Sequence, residues 1–188
     1  MTDRAASPRI LVAGIGNIFL GDDAFGVEVA QRLLRRSWPA NVRVEDFGIR
    51  GVDLVYALTD GYDSAILIDA VPRGGNPPGT LYLLEPLLDA EDDSPPLIEA
   101  HAMDPVKVLR TAAAMGGCTR QVFIVGCEPT PITSADEEGE QPMAMAPPVA
   151  AAVDEAVNMV VELVEKLSDS PSPDSQATGR REAQTWSH

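Results

Sequence analysis

The sequence predicts an α/β domain with three layers, in which a twisted, mostly parallel sheet of about five strands lies between helices. Three short, continuous apolar runs are typical of strands buried on both faces: RILVA at residues 9–13, SAILIDA at 64–70 and QVFIV at 121–125. Segments with helical spacing of apolar residues alternate with these runs. That alternation is the order expected when helices cover both faces of a sheet.

Each element rests on a local pattern. Apolar residues three and four apart indicate helices, and alternation of apolar and polar residues indicates strands. Asp104 followed by Pro105 is typical of a helix start, because Asp accepts from free N–H groups and Pro lacks the donor that the first helical position leaves unused. In chain order the patterns predict strand 9–13, helix 24–36, strand 42–47, helix 52–58, strands 64–70 and 80–84, helix 105–115, strand 121–125 and helix 149–167.

The strand at residues 80–84 follows a short stretch, residues 72–79, that is rich in glycine and proline. Such a short connection leaves no room for a crossover helix, so it favours an antiparallel neighbour for this strand. The other strands are separated by helices and are expected to be parallel.

The chain divides into three predicted parts: a flexible leader at residues 1–8, a single domain at 9–167 and a disordered tail at 168–188. A length of 188 residues suits one medium domain. The tail lacks apolar periodicity and therefore offers no face to pack.

Composition narrows the possible partners. The chain has 29 acidic and 14 basic side chains, which gives a formal charge of -15 and argues against nucleic acid or an anionic membrane as a partner. Its two cysteines make no disulfide framework, and the N-terminal residues lack the apolar core of a signal peptide. We therefore expect a cytoplasmic protein.

The glycines after the first strand do not complete a nucleotide motif. A dinucleotide fingerprint needs a third glycine three residues after Gly16, and Phe19 occupies that position. No phosphate-binding GxxxxGK[ST] run occurs in the chain. There is also no GxSxG motif for a serine nucleophile, and Cys127, directly after an apolar strand, is more typical of a small core residue.

A few polar residues remain at the carboxyl ends of the predicted strands, where ligands gather in such sheets. They are Asp22 or Asp23 after the first strand, Asp69 after the third, and His101 before the helix at 105–115. Two carboxylates and one imidazole suit a divalent ion such as nickel or zinc and leave coordination positions open. Each residue also has a structural interpretation, as a helix cap, a loop contact or a surface side chain.

The run GIGNIFLGDDAFG at residues 14–26 resembles the opening signature of the hydrogenase maturation proteases, which trim the large subunit of [NiFe] hydrogenase. Later landmarks of that family are matched in the same order by ILIDAV at 66–71, HAMDPVKVLR at 101–110 and VGCEP at 125–129. The resemblance covers roughly residues 9–167.

The resemblance implies a nickel-recognising site made of Asp23, Asp69 and His101, and it favours Asp23 over Asp22 because Asp23 stands at the family's ligand position. It also implies the reaction, which is removal of the C-terminal extension of a [NiFe] hydrogenase large-subunit precursor after nickel insertion. The nickel would be carried by the substrate, and these three residues are catalytic candidates only through its recognition. The alternative is a non-enzymatic nickel- or zinc-binding accessory protein, which would leave the precursor uncleaved.

Residues 46–51 (DFGIRG) depart from the family pattern, because many relatives have a loop rich in glycine and threonine at this place. We interpret Phe47 and Ile49 as marks of a subgroup with different substrate docking.

Overall fold

The three continuous apolar runs form the central strands of one five-stranded sheet. The computed structural model describes residues 7–86, 105–117, 119–131 and 143–169. The central strands are β1 (Ile10–Ile15), β3 (Ser64–Ala70) and β5 (Gln121–Cys127), and every residue of β1 is buried. The other elements in these residues are a 3-10 turn (Gly21–Ala24), α1 (Phe25–Leu34), β2 (Val42–Gly48), α2 (Gly51–Leu58), β4 (Leu81–Leu84), α3 (Pro105–Ala114) and α4 (Pro147–Asp169).

The strand order is β2-β1-β3-β5-β4. Four strands are parallel, and only the edge strand β4 runs the other way. The prediction of an antiparallel neighbour for β4 is confirmed. That neighbour is β5, which follows β4 in the chain. In the sheet, β5 lies between β3 and β4.

Helices cover both faces of the sheet, so the predicted three-layer α/β/α fold is confirmed. On one face, α1 and α4 pack against the sheet through one apolar cluster that includes Phe25, Leu33 and Val157. On the other, α2 and α3 contribute Leu54, Leu109 and their neighbours to a second cluster. No helix within the described residues combines the length and apolar composition that crossing a bilayer requires.

The four helices differ from their predicted bounds by one or two residues, and for two of them the structure gives the reason. The first begins at Phe25, because Gly21–Ala24 forms a separate 3-10 turn. The last begins at Pro147, since proline fits the first turn of a helix, and it continues to Asp169. The predicted leader and tail lie mostly outside the described residues, so these domain boundaries stay predictions.

Candidate functional site

The GIGN turn (residues 14–17) includes the last two residues of β1, and it brings the acidic 3-10 turn Gly21–Ala24 against the sheet. Gly16 has a φ of +134°, and a Cβ placed on it would lie 1.8 Å from the backbone oxygen of Asp23. Only glycine permits this approach. The Gly21–Ala24 turn therefore rests against the carboxyl end of β1.

A second close approach fixes the start of α1 against two strands. A Cβ on Gly26 would lie 2.1 Å from the backbone oxygen of Ile68 and 2.2 Å from that of Ile15. The first turn of α1 thus lies across the carboxyl ends of β3 and β1. Asp23 precedes Gly26 by three residues and Asp69 follows Ile68, so the fold brings both acids to the same edge of the sheet.

The carboxylate of Asp23 is half-buried and turned toward the GIGN turn. Its Oδ2 accepts a hydrogen bond from the Asn17 backbone N–H at 2.7 Å. Burial raises the pKa of Asp23 above the ordinary value of 3.8, and the Asn17 hydrogen bond opposes that rise only in part. A bound cation would compensate the charge that burial disfavours.

Asp22 has different partners, although it adjoins Asp23. Its two carboxylate oxygens accept from the backbone N–H groups of Thr130 at 2.8 Å and Ala146 at 2.7 Å. The side chain therefore joins the 3-10 turn to the residues after β5 and to those just before α4. This arrangement gives Asp22 a structural role.

Asp69 is the last but one residue of β3 and is only 5% exposed. Its Oδ1 accepts from the backbone N–H of Ala70 at 2.8 Å. Across the sheet, Asp69 pairs with Gly126 of β5. The position agrees with the rule that placed a candidate ligand at the end of this strand.

The third candidate ligand, His101, lies outside the described residues. Among the residues that are described, no three His, Cys, Asp or Glu side chains are grouped so that they could hold a metal ion. The structure therefore brings Asp23 and Asp69 to one edge and leaves the position of His101 as a prediction.

Cys127 also ends a strand at this edge, but its chemistry differs from that of a nucleophile. The side chain is buried in the apolar cluster under α1 and α4. Burial, followed by the negative charge of Asp22, raises the pKa of its thiol to about 11. The thiol is therefore protonated near neutral pH and serves as a small core residue.

Glu128, which was not among the predicted site residues, is an acid buried next to the same edge. Its carboxylate accepts from the backbone N–H groups of Arg73 and Gly74, the latter at 3.0 Å, and from the Tyr82 hydroxyl at 2.5 Å. The Tyr82 hydrogen bond is the main cause that lowers the pKa of Glu128, with burial opposing it. Glu128 thus links the turn at Arg73 and Gly74 to β4 and to the end of β5 by hydrogen bonds.

One sequence signal pointed toward Glu128, because it is the acid directly after a continuous apolar strand. Its partners lie 46 to 55 residues earlier in the chain. Such distant pairing is not readable from a single sequence.

Residues 46–51 span the end of β2 and the start of α2, and the two apolar residues among them have different environments. Phe47 is only 1% exposed and belongs to the core under α2, with the Arg50 guanidinium 5.8 Å from its ring centre. Ile49 is 60% exposed. Phe47 is therefore a packing residue, and only Ile49 is available for docking.

Comparison with known proteins gives consistent matches. The family model "Hydrogenase maturation protease" (HycI) matches residues 27–163, a range that begins after Asp23. The hydrogenase expression/formation protein HupD of Rhodobacter capsulatus is 34% identical over 155 residues, which cover 79% of this chain and 70% of HupD. The hydrogenase 2 maturation protease of Escherichia coli K12 is 30% identical over 158 residues, covering 81% of this chain and 88% of that protein.

Solved structures show the same likeness. The hydrogenase maturating endopeptidase HybD from Escherichia coli superimposes with a TM-score of 0.64 at 27% identity, covering 84% of this chain and 93% of HybD. A hydrogenase 2 maturation peptidase from a Thaumarchaeota archaeon gives a TM-score of 0.60 at 28% identity, covering 84% and 98% of the two chains.

Proposed function

Because the chain belongs to the hydrogenase maturation protease family, we propose that it removes the C-terminal extension of a [NiFe] hydrogenase large-subunit precursor after nickel has been inserted. The chain is a hydrogenase maturation endopeptidase. A non-enzymatic accessory role is not favoured, since similar proteins and structures are named proteases or endopeptidases.

Asp23, Asp69 and His101 are proposed to recognise nickel that the precursor carries. The main support is the meeting of Asp23 and Asp69 at the carboxyl edge of β1 and β3, where Gly16 and Gly26 allow the backbone to approach closely. Carboxylate and imidazole groups are suitable ligands for a divalent nickel ion whose other positions are filled by the substrate. The carboxylate of Asp22 already accepts hydrogen bonds from two backbone N–H groups. This supports Asp23, and not Asp22, as the nickel ligand.

This recognition would distinguish a loaded precursor from an empty one. A nickel ion held by the precursor would present open positions to the two carboxylates, whereas an empty precursor would present none. The enzyme would therefore act only after metal insertion. The proposed setting is the cytoplasm, and the proposed partner is the precursor itself.

The direct test is intact-mass measurement of a nickel-loaded large-subunit precursor after incubation with the protein. We expect the wild type to reduce the precursor mass by one C-terminal fragment. Asp69→Asn and His101→Ala should each prevent this loss. Asp60→Asn is the matched control, because Asp60 is an exposed acid in the connection before β3, at the opposite edge. An unchanged precursor mass with the wild type would contradict the proposed function.

A further inference from the structure

Large apolar side chains are exposed unevenly over the described part of the chain. Ten such side chains are exposed there, and six of them lie in two short segments beside the candidate site. Phe19 is 61% exposed, Ile49 60% and Val52 67%. We call this group the apolar shelf, and its members are Ile18, Phe19, Leu20, Ile49, Val52 and Tyr56.

The two segments of the apolar shelf are neighbours in the fold. They follow β1 and β2, which are adjacent parallel strands, so both leave the sheet at the same edge. The Gly16 backbone N–H donates to the Gly48 oxygen at 3.1 Å, which joins the backbone just before the two segments. Val52 and Tyr56 are four residues apart on α2 and therefore share one helix face.

Hydrogen bonds order the backbone of both segments of the apolar shelf. Asn17 Oδ1 accepts from the Phe19 N–H at 3.0 Å, and the Asn17 backbone oxygen accepts from the Leu20 N–H at 3.1 Å. On the second segment, the Arg50 N–H donates to the Phe47 oxygen at 2.9 Å. A preorganised surface loses less conformational entropy when a partner binds. Clustered exposed apolar side chains on such a surface are typical of an interaction site.

The position of the apolar shelf identifies its occupant. Leu20 directly precedes the 3-10 turn that carries Asp23, so a protein whose metal reaches Asp23 approaches this chain next to residues 18–20. The charges beside the second segment are paired, since Arg50 forms an ion pair with Asp53 at 3.4 Å. The surface therefore suits an apolar protein segment.

We propose that the apolar shelf docks an apolar segment of the large-subunit precursor and supplies the part of its affinity that does not depend on nickel. This inference rests on the proposed function and assigns the surface through which the same site receives its substrate. The shelf contacts protein and not metal, so its contribution to affinity is the same for the metal-free and the nickel-loaded precursor.

The test compares the double variant Phe19→Ser/Ile49→Ser with the control Leu34→Ser/Met115→Ser, whose side chains are exposed outside the shelf. KM and kcat are measured with nickel-loaded precursor, and Kd with metal-free precursor. Truncating two central contacts of an interface should raise KM and Kd about tenfold, with a smaller change in kcat. The control should leave KM and Kd at wild-type values.

The outcomes separate this inference from the proposed function. If the wild type cleaves and the shelf variant keeps wild-type KM and Kd, the docking surface is wrong while the protease function stands. If the shelf variant loses only self-association, seen by sedimentation, with KM unchanged, the shelf binds a second copy and the inference fails. If the wild type does not cleave, the proposed function fails, and a tenfold weaker Kd of the variant still supports docking.

Discussion

The adjacent acids Asp22 and Asp23 have different hydrogen-bond partners and therefore different roles. Asp22 uses both carboxylate oxygens to hold backbone N–H groups of Thr130 and Ala146, whereas the Asp23 carboxylate accepts one bond from Asn17. Sequence position alone left the two interchangeable as strand-end acids. The family signature favours Asp23, and the partners of Asp22 give a physical reason for the same choice.

Asp22→Asn should destabilise the fold more than Asp23→Asn does. An amide oxygen can replace one carboxylate oxygen, but its NH2 group then faces the second N–H donor. We expect a loss of about 1–3 kcal/mol in the free energy of unfolding for Asp22→Asn. Asp23→Asn should leave the melting temperature close to wild type and abolish precursor processing. Thermal melts measure the stability of both variants, and intact mass measures precursor processing. A fully active Asp23→Asn variant would show that the ligand is misassigned.

Glu128 should make the stability of the fold depend on pH. Its folded pKa lies below the ordinary value of 4.5, chiefly because the Tyr82 hydroxyl donates to the carboxylate. The ionised group therefore stabilises the fold above about pH 4.5, and this contribution is lost as the pH falls through the folded pKa. Urea unfolding should show a gap between wild type and Glu128→Gln that is widest near about pH 7 and narrows in acid. A gap that does not change with pH would exclude this role.

At the scale of elements, the apolar pattern predicted the bounds of the strands better than it predicted which strands are neighbours. The bounds of β3 match the predicted residues 64–70, because a fully buried strand is a continuous apolar run. The partner of β4 was not predictable, since it depends on the crossover through α3 that places β5 between β3 and β4. The 3-10 turn before α1 was missed because its residues also fit a helix start.

Gly26→Ala tests how closely α1 must approach the sheet. The added methyl group would collide with the backbone oxygens of Ile68 and Ile15, which cannot both move without shifting α1 or the strands. We expect a loss of about 3 kcal/mol in the free energy of unfolding and weaker processing, because Asp23 moves with the helix start. Gly116→Ala is the control, with a positive φ but open space, and should lose about 1 kcal/mol. Equal losses in the two variants would argue against a steric cause.

At the scale of the whole molecule, the sequence predicted the shared edge of the candidate acids but not the surface around them. The strand-end rule predicted that Asp69 and one of the two acids Asp22 and Asp23 lie at one edge, since parallel strands share the direction of their carboxyl ends. His101 was a candidate from its position before the helix at 105–115, and the family resemblance selected it together with the two acids. The apolar shelf was not predicted, because Phe47 and Ile49 look alike in sequence and differ only after folding, when one enters the core and the other does not.

A chain ending at Asp169 should fold and process precursor normally, since α4 ends there and Leu167 is its last buried residue. The control is a chain ending at Val160, which removes the buried side chains of Leu163, Val164 and Leu167. Losing each of these buried side chains should lower the free energy of unfolding by about 1.5–3 kcal/mol. Melting temperature and processing rate measure both effects. A large drop in either for the chain ending at Asp169 would place essential residues beyond α4.

The central claim is that nickel in the precursor is what this protease recognises, and the most direct measurement compares cleavage of nickel-loaded and metal-free precursor at equal concentration. Intact mass, followed over time, reports the fraction processed in each sample. We expect processing of the loaded precursor only, because the carboxylates at the ends of β1 and β3 need an ion to bind. Equal processing of the metal-free precursor would contradict nickel recognition.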